Sequence, residues 1–301
     1  MLRIIENSLM SDSYTLSMAE TRLGMLIPSD PNDSIDVLRQ QFAEQGYLWL
    51  KGLLHREHVL AFRQRYFEAL AHTGLLKTGT LAVDGVYSYG DVNQQQVRRV
   101  QSELVRSAAY EAFCLTDAIW QFYERLLGDT VYLHKRKLVR HIPPQTAIAT
   151  GAHYDLVYLR GGTDSVCSSW IPIGDIPIEM GGLVYLENSH HIGREMEAEF
   201  SRKATDLPRD EQISAYNKYM DKSGWLTKDL PSLADRTDSR WLMADYEAGD
   251  MVIHGAYTIH ASTNNTDKQG RIRLSTDIRY QRLREEIDAR WNNHWSLDDM
   301  L

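Results

Sequence analysis

Apolar positions along the chain change their period near residue 130. Before it they recur at helical spacing. Asp33 or Ser34 caps a run in which Leu38 and Phe42 lie one turn apart, and Gly46 ends it. Val59, Phe62, Tyr66 and Leu70 keep that spacing over 55–72. Trp120, Tyr123 and Leu127 predict a helix over about 117–127, with Asp117 as its cap and Gly128 just after it. Tyr47 to Leu50 is a short apolar strand. Beyond 130 the segments 130–142, 154–160, 166–173, 183–187, 241–246, 250–254, 257–262 and 271–282 are short and rich in Val, Ile, Tyr, Trp and Thr. Gly, Pro or Asn-Asn separates most of them, as between strands. Without crossover helices they predict antiparallel sheets closed on each other. The polar, largely helical stretch 193–240 interrupts the series and reads as a lid or binding wall. The expected fold is mainly β with α, in one domain spanning 1–301. A helical buttress (about 1–129) supports a double-stranded β-helix core (jelly-roll, cupin-like; about 130–282), and a tail follows at 283–301.

Composition narrows the class. The 301 residues are 43% apolar and 25% charged, ample for a proper core. A net charge of −8 offers no electrostatic reward for nucleic acid or an anionic membrane, and no apolar run nears the roughly 20 residues that span a bilayer. Two cysteines, Cys114 and Cys167, exclude a disulfide framework and a cysteine-based metal site, and fit a reducing compartment. The opening MLRIIENSLMSD carries Glu6 and too short an apolar stretch for a signal peptide. These features predict a cytoplasmic protein with a small-molecule substrate, no nucleic-acid or membrane partner, and room for a homodimer.

Phosphate-loop, dinucleotide, nucleophile-elbow and HExxH patterns are absent. What stands out is His153-Tyr154-Asp155. In a strand, residues two apart share a face, so one imidazole and one carboxylate would project together. His260, 107 residues later, is the best third ligand. Two His and one carboxylate leave other metal positions open, the facial arrangement of non-haem iron(II) oxygenases, whereas a structural zinc takes four protein ligands. His254 shares the parity of His260, but Gly255 and Ala256 suggest a bend between them. Arg271 and Arg273 follow His260 on one strand face, and a guanidinium there could fork onto the carboxylate of a 2-oxo diacid. Parity does not choose between them. The basic run His134-Lys135-Arg136-Lys137, continuing through Arg140, reads as a solvated edge strand or, as the alternative, as a strand that steers an anionic substrate, and His190-His191 reads as a turn. Tyr87, Tyr89 and Tyr219 are candidate substrate contacts, with core packing an equal reading. Arg290 to Trp295 suggests only a docked tail or a subunit contact.

In order and spacing these residues resemble the phytanoyl-CoA dioxygenase family. The resemblance rests on His153-x-Asp155, Trp170, Gly182-Leu183-Val184-Tyr185-Leu186 running to Ser189-His190, Gly249-Asp250-Met251-Val252-Ile253, His260-x-Ser262 and Arg271 with its following Leu274-Ser275. It covers roughly 130–282. One departure is Glu187-Asn188-Ser189-His190, where many members read Pro-Gly-Ser-His; it touches a turn. The resemblance implies a 2-oxoglutarate-dependent dioxygenase with Fe(2+) on His153, Asp155 and His260, and with 2-oxoglutarate and O2 as cosubstrates. It places the far carboxylate of the keto acid on Arg271, with Ser262 and Trp170 as secondary contacts. The retained Asp155 disfavours halogenation. The expected activity is hydroxylation, desaturation, ring formation or rearrangement of a natural-product intermediate. An acyl-CoA hydroxylase is the rival within the family, and the ending Asp299-Met300-Leu301, not Ser-Lys-Leu, weighs mildly against it. The rivals outside it are a cupin-like isomerase or hydrolase without a keto acid, and a non-catalytic binding protein.

Overall fold

Ser34 accepts a hydrogen bond from the Val37 amide and Gly46 takes φ 76°, so the first helix, Ile35–Gln45, starts and stops at its capping residues. The computed structural model describes residues 8–296 apart from 147 and 220–222. Most of the opening MLRIIENSLMSD and the ending Asp299-Met300-Leu301 therefore lie outside the described residues. Helices follow at Arg56–Leu70 and Asp117–Leu127. Thr116, not Asp117, is the N-cap of the latter, and Asp117 sits in its first turn, where a carboxylate complements the helix dipole. Two further helices, Gln94–Leu104 and Ala108–Cys114, were not predicted.

Among the described residues the strands form two large sheets. The larger runs Pro28–Ser29, Tyr47–Leu50, Met251–Gly255, Cys167–Pro172, Arg273–Arg282 and Val131–Leu133, with Leu138–Ile142 also paired to Arg273–Arg282. The smaller runs His260–Ser262, Leu183–Leu186, Trp241–Met243 and Leu23–Met25. All these pairs are antiparallel except those of the N-terminal strands Leu23–Met25 and Pro28–Ser29. The first third of the chain is thus more than a helical buttress, because it also supplies strands to both sheets.

The period-2 alternation decides what each face meets. Outward residues of the larger sheet, such as Leu50, Ile171, Ile253 and Ile278, pack on Phe62, Tyr66 and Tyr123 of the helices. Its inward Trp49, Trp170 and Val252 meet Leu183, Tyr185 and Leu242 of the smaller sheet. The long strand Arg273–Arg282 differs on its inner side. Arg273, Ser275, Arg279 and Gln281 are buried there, while Leu274, Ile278 and Tyr280 join the outer core. Buried polar groups are costly unless bonded, so this face marks the part of the sandwich built for something other than packing.

Two predicted strands take another form. The segment 130–142 is split, and His134, Arg136 and Lys137 in the break are buried, not solvated. Lys137 reaches Glu111 at 2.6 Å, His134 Nε2 donates to Gln281 at 2.8 Å, and the Arg136 guanidinium lies over Trp291. Within 154–160, Leu156–Leu159 forms a helical turn.

Burial lowers His134 to about 4, and lowers His141, whose Nδ1 accepts from the Tyr66 hydroxyl at 2.6 Å, to about 4 as well. Both are uncharged when folded, yet in the unfolded chain they protonate below about 6.5. Their contribution to stability should be complete above pH 6.5 and decline as pH falls toward 4, by about 3 kcal/mol for each imidazole. Denaturant unfolding at pH 7 and pH 5 checks this, and His134→Gln should remove a large part of the acid sensitivity.

Candidate metal centre

His153 and His260 meet through the backbone. Each donates its amide to the other's carbonyl, at 3.0 and 2.9 Å. Each ring also places Nδ1 against the carbonyl two residues earlier in the chain: Gly151 at 2.9 Å for His153, Thr258 at 3.0 Å for His260. A carbonyl only accepts, so Nδ1 carries the proton and both Nε2 lone pairs are left for a metal. Burial lowers the pKa of both imidazoles, that of His260 well below its ordinary value with the nearby His153 and His254 adding to it. Neutral imidazole is the form that ligates.

Asp155 reaches them by a route the sequence pattern did not predict. The chain leaves its extended course after Tyr154, and Asp155 (φ −66°, ψ −26°) opens the helical turn, which Leu156 ties to the Ala256 carbonyl at 2.9 Å. Its Oδ1 then lies 3.6 Å from His153 Nε2 and 3.7 Å from His260 Nε2. The ligand atoms of the three residues all fall within 4.8 Å of one another, and all three residues are buried. Oδ2 points the other way and accepts from Ser168 Oγ and from Arg279 Nη2, the latter at 3.0 Å. Burial alone would raise the carboxyl, but the Arg279 guanidinium and the surrounding imidazoles hold it well below the usual range. His254 is inside the sandwich too. Its Nδ1 lies 3.1 Å from the Tyr185 hydroxyl and its Nε2 3.5 Å from Oδ2, the oxygen turned away from the other two imidazoles.

Other sequence candidates are distributed unevenly. Arg271 does not join the buried face: its guanidinium is taken by Asp267 at 2.6 Å and its side chain is 27% exposed. Arg273 is the buried one, with Nη1 on the Gly181 carbonyl and Nε without a hydrogen-bond partner among the described residues. Two residues on, Ser275 Oγ is likewise buried and unpartnered. The Ser262 hydroxyl accepts from the Thr150 amide at 2.8 Å, and Trp170 packs against Tyr246 in the inner core. Tyr87 and Tyr89 stack edge to face over the 267–271 turn, where Tyr87 N–H bonds to Gly270. Tyr219 is exposed and donates to Asp206 at 3.2 Å, and among the described residues it makes no hydrogen bond to the triad. Sequence reasoning missed Arg279 and Ser168; their parity with Arg273 and with Trp170 was the available signal.

The insertion wraps this centre. Ala152, next to His153, exchanges hydrogen bonds with Leu226 and Thr227, and a side chain at Gly151 would collide with Trp225. Tyr158 stands edge-on to the His153 ring at 5.7 Å and donates to Ser223. Helix Ser189–Lys203, which begins at the His190-His191 pair once expected to be a turn, sends Glu197 to Tyr154 at 2.7 Å.

The model of the family described as phytanoyl-CoA dioxygenase matches residues 42–273. The chain belongs to that family. Among its relatives are two 1-deoxypentalenic acid 11-beta-hydroxylases, from Streptomyces exfoliatus and Streptomyces arenae. Each is 24% identical over 83% of this chain and 82% of its own length. Similar solved structures include the epimerase SnoN in complex with Fe3+, alpha ketoglutarate and nogalamycin RO (TM-score 0.56, 17% identity, 84% of this chain and 85% of that one). Another is the alpha ketoglutarate dependent carbocyclase SnoK from nogalamycin biosynthesis (TM-score 0.56, 18% identity, 87% and 89%). These structural likenesses are likenesses of fold. As a member of this family with a triad able to hold a metal ion, the protein is an iron- and 2-oxoglutarate-dependent oxygenase.

Replacing His153 or His260 with Ala should weaken Fe(II) or Co(II) binding by well over the roughly 10- to 100-fold that loss of a supporting group costs. His254→Ala should stay within about tenfold. Equilibrium titration of the metal-free variants measures both.

Proposed function

We propose that the protein hydroxylates a small organic acid, an intermediate of natural-product biosynthesis. In this reading His153, Asp155 and His260 hold iron(II), and Arg273 with Ser275 receives the far carboxylate of 2-oxoglutarate. The observation that carries it is the pair of orphaned polar groups on one inward face, the Arg273 Nε–H and the Ser275 hydroxyl. A carboxylate is the ligand that would satisfy both, since it accepts from a guanidinium and a hydroxyl side by side. Iron(II) and 2-oxoglutarate, when bound, would let O2 act as a four-electron oxidant, with two electrons drawn from the keto acid as it becomes succinate and carbon dioxide and two from the substrate C–H bond.

The chain's own groups perform the rest. Two neutral imidazoles and one carboxylate would hold the ion and, being only three ligands, would leave it able to take cosubstrates. Trp225, Tyr158 and the buried sheet face exclude bulk water. Arg140 supports a substrate bearing a negative group. It lies opposite Ser275 in strand register, is 44% exposed, and pairs with Asp277 at 3.0 Å. The curated relatives' named substrate is likewise an acid. A keto-acid-independent isomerase or hydrolase would leave Arg273 and Ser275 without purpose. A cytoplasmic location agrees with two free, buried thiols.

Anaerobic addition of iron(II) and 2-oxoglutarate should give a visible charge-transfer band, and oxygen should then release succinate; neither would occur in a keto-acid-independent enzyme. Arg273→Gln should weaken 2-oxoglutarate binding about 30-fold or more, because a buried charge pair is typically worth about 2–5 kcal/mol. Lys at 273 should rescue only in part. Arg271→Gln should change it little, and a larger effect there than at Arg273 would return the anchor to Arg271.

A further inference from the structure

One buried cation and the segment beyond the last strand remain without a role. Arg279 is 6% exposed at its side chain, lies 3.0 Å from Asp155 Oδ2, and rests its guanidinium 4.3 Å from the centre of the Trp291 ring. Its Nε and Nη1 have no hydrogen-bond partner among the described residues. Polar contacts therefore fix only one corner of the guanidinium, and the flat Trp291 surface sets its plane. Trp291 is itself fixed. It is 2% exposed in the turn Ala289–Asn292, and its Nε1 donates to the Tyr158 carbonyl at 3.1 Å. Arg290 donates to that same carbonyl at 3.0 Å, and Asp288 accepts from the Gly161 amide at 3.0 Å. Tyr158 belongs to the helical turn that Asp155 opens. One short segment thus braces both the guanidinium behind Asp155 and the backbone that carries Asp155.

We propose that Arg279, seated on Trp291, is a positioning residue that makes Asp155 a one-oxygen ligand. The inference rests on reading Asp155 as a metal ligand. A free carboxylate can offer a metal one oxygen or two. Here Oδ2 is committed to Arg279 and Ser168, and turning it toward the imidazoles would strip a charge-assisted bond from a buried guanidinium. Oδ1 alone faces His153 and His260. With one oxygen from Asp155 a bound ion would keep one more position for cosubstrates than with two.

The test uses Co(II) in the metal-free full-length protein. Visible ligand-field absorption reports coordination, and titration without oxygen gives affinities for Co(II) and then 2-oxoglutarate. Arg279→Gln should bind one or both about 10- to 100-fold more weakly and show an altered Co(II) spectrum. Arg279→Lys, which keeps a donor and a charge, should recover much of both. Trp291→Leu should shift the spectrum in the same direction by less. Lowered melting temperatures with unchanged spectra and affinities would overturn the proposal, leaving Arg279 a structural ion-pair partner. Should Arg279→Gln fail to fold, Arg279→Lys and Trp291→Leu decide on the same two readouts. Absence of Co(II) binding in the unaltered protein would instead overturn the metal-ligand reading beneath it.

Discussion

The site hangs on two backbone hydrogen bonds. His153 and His260 are far apart in sequence and touch as a single antiparallel bridge, a contact too small to persist alone. Its neighbours sustain it. On one side His260–Ser262 is registered against Leu183–Leu186, and on the other Ala152 is clasped by Leu226 and Thr227. Because amides make the bridge, the imidazoles do not have to hold the chain together. Each spends one nitrogen on the carbonyl two residues before it and keeps the other in reserve.

The sandwich divides its labour by face. Packing against the helices and across the inner core supplies the apolar burial, so one stretch of the inner surface can carry Arg273, Ser275 and Arg279 in place of aliphatic side chains. Buried cations of this kind are expensive to desolvate, and burial lowers the Arg273 guanidinium to about 10 with nearby Arg140 adding to it. A sheet selected for stability alone would not place them there.

Most of the strands were legible from alternation and punctuation, and two features explain why. The outward residues of the core strands are strongly apolar, and Gly or Pro marks many of their ends. The helices 94–104 and 108–114 were harder, since polar Gln94-Gln95-Gln96 and a seven-residue element give a weak period. The triad was visible as spacing, but for a partly mistaken reason. His153 and Asp155 converge because the chain turns helical at Asp155, whereas a continued strand was expected. Arg279 could be placed on the inner face by parity, yet nothing local indicates that it meets Asp155, 124 residues away. Tertiary partners at that separation leave no periodic trace.

The brace at Trp291 also bears on how the protein comes to be made. The three candidate ligands leave the ribosome in the order His153, Asp155, His260, and only afterwards do Arg279 and Trp291 follow. A nascent chain can therefore possess every first-contact atom for a metal while the carboxylate is still unrestrained. Arg279 lies on the strand Arg273–Arg282, which joins Cys167–Pro172 to Val131–Leu133 and Leu138–Ile142, so pairing that strand both completes the larger sheet and brings the guanidinium behind Asp155; such long-range pairing is slow compared with local helix formation. Correct metallation is then an event of the finished fold, separate in time from the synthesis of the residues that bind.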